Sequence, residues 1–221
     1  MIERLIDEAL AKEQAARATR ERSGKYSPSM FGRCWRAQYW NRKNEPQSNA
    51  PDARSLRVFR AGKLFHDFAQ GFLPPHQVEV EIKTEHFYGF ADIVTDDCVY
   101  DIKSQHSKSF WYMEKAQDIY EEKKGNILQV CSYAYFLKKP KAELVFISKD
   151  DLCIKELPLP LARFEPEVKA ELKKLVEIWA EDKLPNMCPR AYGNDKKTGK
   201  PKECYSYCNW RTKCRGEEWL K

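Results

Sequence analysis

Long hydrophobic runs are missing from this sequence of 221 residues. No segment approaches the roughly 20 apolar residues that a transmembrane helix needs. Residues 1–8 carry acidic side chains where a secretory signal would have a positive region followed by an apolar run. Internal repeats and low-complexity stretches are missing too. We therefore expect a soluble, cytoplasmic protein with no membrane partner.

Cysteine is plentiful, with eight residues, but disulfides are not expected in that compartment. A metal or metal cluster is the first alternative for cysteines that group together. Cys204, Cys208 and Cys214 form such a group in a tail that is poor in aliphatic side chains. Thiolates at this spacing can surround one metal centre. The isolated cysteines lie in apolar patterns and are predicted to be buried: Cys98, Cys131 and Cys153.

Positive charge exceeds negative charge, since 39 Lys and Arg residues against 33 Asp and Glu residues give a formal net charge of +6. The excess is concentrated toward both ends of the chain. Such clusters suit a phosphate backbone, whose neutralisation releases counterions. Charge alone nevertheless favours two solvated surfaces on an ordinary protein. The two runs are Arg17, Arg20, Arg22 and Lys25, and Lys196, Lys197, Lys200, Lys202, Arg211, Lys213 and Arg215.

Hydrophobic periodicity predicts a mixed α/β fold. The order is helices, three strands that form a meander, two helices, two strands, one helix and the Cys-rich tail. Gly125-Asn126 is predicted to separate the two middle helices. The predicted helices are 1–22, 30–40, 55–72, 109–123, 127–137 and 165–182, and the predicted strands lie within 77–103, 143–148 and 152–157.

Two carboxylates and a lysine lie in the predicted meander. If its second and third strands pair about Asp96-Asp97, Asp92 and Asp101 come close across the ladder, and Lys103 shares a face with Asp101. Two adjacent carboxylates repel unless a cation joins them, and hard divalent ions take oxygen ligands. A metal there can polarise a phosphodiester and activate water. Surface ion pairs on an exposed hairpin explain the spacing equally well.

Three further residues share the pattern. His66 lies on a helix that precedes the strands, and an imidazole is a ligand better suited to Mn²⁺ than to Mg²⁺. Gln129 and Tyr133 are four residues apart on a predicted helix, so they share one face and could both reach a phosphate or a base. Taken singly, each is also an ordinary helix residue.

Together these residues resemble a known family. His66, Gly89-x-x-Asp92, Asp101-x-Lys103 and Gln129-x-x-x-Tyr133 have the order and approximate separations of RecB-like nucleases of the PD-(D/E)XK superfamily. The resemblance implies a central mixed sheet flanked by helices and a site for Mg²⁺ or Mn²⁺. It also implies roles for these residues. His66, Asp92, Asp101 and the Ile102 carbonyl would be metal ligands, Lys103 the catalytic lysine, and Gln129 and Tyr133 supports for the site and the DNA strand.

Iron–sulfur members of that family contribute one cysteine before the catalytic core and three after it. The resemblance therefore implies a 4Fe–4S cluster held by Cys34, Cys204, Cys208 and Cys214. The family usually has two residues between the first two C-terminal cysteines, whereas this chain has three, so Cys188 is an alternative ligand. Four thiolates also suit a structural Zn²⁺.

The expected function is a metal-dependent DNA exonuclease that acts on single-stranded DNA or duplex ends, in recombination, repair or CRISPR-type processing with proteins of those pathways. A DNA-binding adaptor built on a nuclease fold without cleavage is the alternative. Three regions are expected within one compact unit: an N-terminal helical region (1–54), the nuclease core (55–184) and the cluster-binding tail (185–221). Aromatic residues of the tail could stack on bases or pack around the metal centre: Tyr205, Tyr207 and Trp210.

Overall fold

The computed structural model describes residues 1–18, 23–115, 118–190 and 193–218. Arg20 and Arg22 of the N-terminal basic run lie outside these ranges. No helix within the described ranges is long and apolar enough to cross a membrane. The helices are α1 (Ile2–Ala18), α2 (Trp35–Arg42), α3 (Ala53–Gln70), α4 (Ser107–Glu114), α5 (Ile119–Glu122), α6 (Lys124–Leu137), α7 (Leu161–Glu181) and α8 (Arg211–Arg215). The strands are β1 (Val78–Lys83), β2 (Tyr88–Val94), β3 (Cys98–Gln105), β4 (Lys141–Ser148) and β5 (Ile154–Pro158).

The five strands form one mixed sheet in the order β1-β2-β3-β4-β5. β1, β2 and β3 are the predicted antiparallel meander, and β4 and β5 are the predicted antiparallel pair. β3 and β4 run parallel, and the chain between them forms α4, α5 and α6. The predicted mixed sheet flanked by helices is thus confirmed.

Strand β3 is covered on both faces. Val99 belongs to the main core, in which Leu144 of β4, Ile127 of α6 and Leu175 of α7 are fully buried. Ile102 belongs to a second cluster, against which α3 packs. Successive side chains of a strand point to opposite faces of the sheet. Residues of β3 can therefore meet α6 on one face and α3 on the other.

The N-terminal and C-terminal segments pack against each other. Cys34, Trp40 and Trp210 are buried in one small cluster, and the rings of Trp40 and Trp210 are 6.1 Å apart. Trp210 Nε1 also donates a hydrogen bond to the Glu45 carbonyl at 3.0 Å. Apolar packing therefore helps to hold the tail, which the sequence predicted to lack a core of its own.

Two predicted helices are interrupted in the structure. The helix predicted from residue 30 is replaced by a 3₁₀ turn at Pro28–Met30, and α2 begins only at Trp35. Gly32 between them has a φ of +75°, which lies outside the helical region. The prediction of one helix over 109–123 is also wrong. Helix α4 ends at Glu114, and Asp118 caps a separate short helix, α5.

Other boundaries differ as well. Gly125-Asn126 does not separate helices but lies within α6, which begins at Lys124. The helix predicted for residues 1–22 is present over Ile2–Ala18, and residues 19–22 lie outside the described ranges. The prediction that Cys153 is buried is wrong, because β5 begins only at Ile154 and Cys153 lies exposed in the preceding turn. Cys98 and Cys131 are buried, as predicted.

Candidate active site

Asp92 and Asp101 lie side by side on strands β2 and β3. Ile93 pairs with Tyr100 in the antiparallel ladder, so the same register brings Asp92 opposite Asp101. The backbone amide of Ile102 donates a hydrogen bond of 2.7 Å to Asp92 Oδ2. The hairpin predicted from the sequence thus brings the two carboxylates together.

Lys103 contacts the second carboxylate. Its Nζ atom is 2.7 Å from Asp101 Oδ2, and Asp101 is completely buried. The residues are two apart on β3, so they share a face, as the sequence indicated. Because Asp101 is buried, this contact is not the exposed surface ion pair that the spacing alone also allowed.

Helix α3 contributes two side chains that contact Asp92, one at its carboxylate and one at its backbone carbonyl. His66 Nδ1 lies 3.4 Å from Asp92 Oδ2. One turn further along the helix, Gln70 Nε2 donates a hydrogen bond of 2.9 Å to the Asp92 carbonyl. The sequence reasoning did not identify Gln70. The signal that could have found it is its i, i+4 spacing from His66, which puts both on one helix face.

Helix α6 contributes Gln129 and Tyr133 from the other side of β3. Gln129 Nε2 donates hydrogen bonds to Asp101 Oδ1 at 2.8 Å and to the Tyr133 hydroxyl at 3.3 Å. Its Oε1 accepts one from Lys103 Nζ at 3.5 Å. The side-chain amide therefore bridges the carboxylate and the lysine. The structure brings together all the residues predicted for this site, while their roles remain predictions.

Burial and charge set the protonation of these groups. Burial raises the pKa of Asp101 to about 6 against the opposing charge of Lys103. Burial also lowers the pKa of Lys103, but the charges of Asp101 and Asp92 outweigh it and leave that pKa raised. The pKa of Asp92 is lowered because the hydrogen bond from His66 and the charge of Lys103 outweigh burial. Burial would lower the pKa of His66, yet the hydrogen bond and charge of Asp92 leave it raised.

The donor set suits a divalent cation. One imidazole and two carboxylates match the ligand preferences of Mn²⁺ and, for the oxygens, of Mg²⁺. Asp101 Oδ2 is buried, and the Lys103 ammonium group 2.7 Å away balances its negative charge. Over the described ranges, no three His, Cys, Asp or Glu side chains already form a group that could hold a metal ion. Coordination would therefore require these side chains to close around the ion.

The predicted cluster ligands meet between the two ends of the chain. Cys34, Cys204, Cys208 and Cys214 line one small cavity. The alternative ligand, Cys188, lies beside them, with its Sγ 3.9 Å from that of Cys34. None of the eight cysteines, all of which lie within the described ranges, forms a disulfide. Four of the five candidate thiols thus line one cavity, and the fifth, Cys188, contacts Cys34.

Hydrogen-bond donors face three of these sulfur atoms. Arg36 reaches Cys214 Sγ at 3.7 Å, and Arg215 reaches Cys204 Sγ at 3.6 Å. The Trp210 amide points at Cys208 Sγ at 3.4 Å. Cations and N–H donors favour thiolates over thiols, and the thiolate is the form that binds metals. Burial outweighs these donors, raising the pKa of Cys204 and taking that of Cys208 to about 11, so the thiolates of an iron–sulfur or zinc centre would form as the metal binds and releases protons.

Two acidic residues that the sequence reasoning missed hold the cysteine segments in place. Glu203 accepts hydrogen bonds from the amide of Cys34 at 2.6 Å and from the amide of Arg190 at 2.7 Å. The Arg190 side chain in turn forms two hydrogen bonds, of 2.7 and 2.8 Å, with the buried carboxylate of Glu171. Isolated acids in a polar sequence gave no signal of this role.

No model of a known protein family matches the sequence, and no curated protein matches it. The crystal structure of SSO0001 matches with a TM-score of 0.57 and 19% sequence identity, over 98% of this chain and 97% of that chain. The chain shares the fold of SSO0001. At this identity, the likeness to SSO0001 concerns the fold alone.

Two further solved structures come from an alkaline exonuclease of Laribacter hongkongensis, LHK-Exo. One matches with a TM-score of 0.41 and 17% identity, over 73% of this chain and 93% of that chain. The other, LHK-Exo in complex with dAMP, matches with a TM-score of 0.42 and 18% identity, over 72% and 92% of the two chains. Both TM-scores are below 0.5.

Proposed function

We propose that this protein is a metal-dependent DNA exonuclease of the PD-(D/E)XK type. The observation that carries the proposal is the contact of Lys103 Nζ with the buried Asp101 carboxylate, directly beside Asp92. A lysine and two carboxylates in one place are the groups needed to bind a cation and to act on a phosphodiester. The family resemblance in the sequence supports the same chemistry.

The proposed metal is Mg²⁺ or Mn²⁺, held by His66, Asp92, Asp101 and the Ile102 carbonyl. When bound, such an ion polarises the phosphodiester and lowers the pKa of a water molecule. The Ile102 amide fixes Asp92 Oδ2, and Gln70 fixes the backbone of the same residue, so this carboxylate is held in place before any ion arrives. Preorganisation of this kind reduces the cost of binding.

Lys103 is the proposed catalytic lysine. In hydrolysis a water oxygen forms a bond to phosphorus, one P–O ester bond breaks, and the proton released by water ends on the departing oxygen. The Lys103 ammonium group can hold the attacking water and offset the negative charge that develops on the phosphoryl oxygens. Gln129 orients both Lys103 and Asp101, and Tyr133 orients Gln129.

We further propose that Cys34, Cys204, Cys208 and Cys214 bind a 4Fe–4S cluster, with Cys188 as an alternative ligand. Structural Zn²⁺ is the competing occupant. Anaerobically purified protein should be brown and contain iron. A colourless protein with stoichiometric zinc and no iron would overturn the cluster and leave the nuclease proposal intact.

The nuclease proposal is tested by digestion of end-labelled single-stranded and double-stranded DNA with Mg²⁺ or Mn²⁺. Wild type and Lys108→Ala, an exposed control on α4, should cleave, whereas Lys103→Ala should not, with its fold checked by circular dichroism. The fate of the label gives the polarity. If the wild type binds DNA but cleaves none with either ion, the adaptor function is favoured instead. Recombination and CRISPR-adaptation proteins are the partners to test next.

A further inference from the structure

A broad cleft opens beside the candidate active site. Lys103 and Gln129 line it, and the loop before α2 and the start of α6 also contribute to its walls. Arg33 lies on that loop and lines the same cleft. The cleft therefore extends from the proposed catalytic lysine over a surface that carries at least one further cation.

Phe59 of α3 also lines this cleft and is 60% exposed. It is seven residues before His66, which is two turns of helix, so the two side chains lie along one helix face. Gly62 between them sits close to β3, since a Cβ atom there would lie 3.8 Å from Ser104 Oγ. The face of α3 that carries Phe59 is thus turned toward the strand of Asp101 and Lys103.

Partial exposure of a phenyl ring beside a polar site has a physical cost, because apolar surface is left in water. Other exposed aromatic side chains of α3 do not share this position. Phe68 is 51% exposed, but it contacts Phe72 and is not among the residues that line the cleft. Phe59 is therefore distinguished by its place beside the active site rather than by its exposure.

We propose that Phe59 is a stacking platform for an unpaired base and that Arg33 binds a neighbouring phosphate, so that the cleft selects single-stranded DNA. This inference rests on the proposed nuclease function and names the substrate class of that site. Aromatic side chains stack on any base whose face is free, and a nearby cation can bind the phosphate backbone of the same strand. In a duplex the faces of the bases are covered by their neighbours, so Phe59 has no surface to contact.

The test measures binding of fluorescein-labelled oligothymidine and of a fluorescein-labelled blunt duplex by fluorescence anisotropy. EDTA is present so that no divalent cation is available for cleavage. Phe59→Ala should weaken single-strand binding about tenfold, the effect of one stacked base, and leave duplex binding unchanged. Phe59→Tyr should keep the wild-type affinity for the single strand, and the control Phe68→Ala should bind both DNAs as the wild type does. Arg33→Gln should reduce the dependence of log Kd on log salt by roughly one phosphate contact.

The outcomes separate this inference from the nuclease proposal. Equal single-strand binding by wild type and Phe59→Ala would overturn the stacking role, even if the wild type cleaves DNA. Equal loss of single-strand and duplex binding would overturn the selectivity. A wild type that binds oligothymidine through Phe59 but cleaves nothing with Mg²⁺ or Mn²⁺ would support the cleft and overturn the nuclease function.

Discussion

Gln129 donates a hydrogen bond of 2.8 Å to Asp101, from helix α6 to the central strand β3. Asp101 is fully buried, and its other oxygen contacts the Lys103 ammonium group. One neutral amide therefore supports a carboxylate that burial disfavours. This contact also fixes the distance between the helix and the strand at the candidate site.

Gln129→Ala should lower the free energy of unfolding by about 1.5–3 kcal/mol, because a hydrogen bond to a buried charged group is lost. Urea unfolding followed by circular dichroism measures the change. Gln105→Ala is the matched control, since Gln105 is partly buried and its amide reaches only the Met113 sulfur, at 3.4 Å. Equal stability of the two variants would show that the Gln129 contact adds nothing.

Arg190→Met should destabilise the protein by about 3 kcal/mol, because it leaves the carboxylate of Glu171 buried without its cation. Adding Glu171→Gln should recover part of the loss, since the buried charge is then gone. Lys169→Met on the same helix, α7, breaks an exposed pair with Glu165 and should cost at most about 1 kcal/mol. Chemical denaturation of the wild type, the two single variants and the double variant measures these free energies of unfolding. An Arg190→Met protein as stable as the wild type would contradict the prediction.

Gly32→Ala should cost more stability than Gly24→Ala. Both glycines have positive φ, +75° and +66°, so an alanine costs roughly 1–2 kcal/mol at either position. Only at Gly32 would the added Cβ meet neighbours, 3.2 Å from Leu128 Cδ1 and 3.4 Å from the Gly125 Cα. The difference between the two melting temperatures isolates that close approach. Equal decreases in melting temperature for the two variants would show that the close approach of Gly32 to α6 adds no cost.

Cys208→Ala should lower metal content, melting temperature and solubility together, because Cys208 lines the cavity between the N-terminal and C-terminal segments. Cys153→Ala is the control, since Cys153 is exposed and is not among the residues that line this cavity. Iron and zinc per chain are measured by elemental analysis. Full metal content and an unchanged melting temperature in Cys208→Ala would remove this cysteine from the ligand set.

Local sequence patterns predicted the parts of the fold that local patterns control. Alternation within residues 77–103 identified the meander, and the spacing of Asp101 and Lys103 placed both on one face. The same reasoning failed at residues 30–34, because the break there depends on Gly32 approaching α6, which is far away in sequence. It failed at Gly125 for the converse reason, since tertiary packing keeps a glycine inside a helix despite its poor propensity.

Contacts between distant residues explain the remaining gaps. Gln70, Glu171 and Glu203 have no distinctive neighbours in the sequence, and each gains its role from a partner on another element. Phe59 reads as one of the apolar positions of a helix, and only the fold reveals that its ring is left in the cleft. The cysteines were the exception, because thiols grouped in a tail are recognisable before their surroundings are known.

The hydrogen bond from the Cys34 amide to Glu203 spans 169 positions of the chain. Proteins are made from the N-terminus, and their domains begin to fold during synthesis. The sheet strands and the residues around Asp101 therefore leave the ribosome before the segment that carries Glu203, Cys204, Cys208 and Cys214. A metal held by Cys34 together with the cysteines of that segment would therefore be acquired only after the segment has emerged.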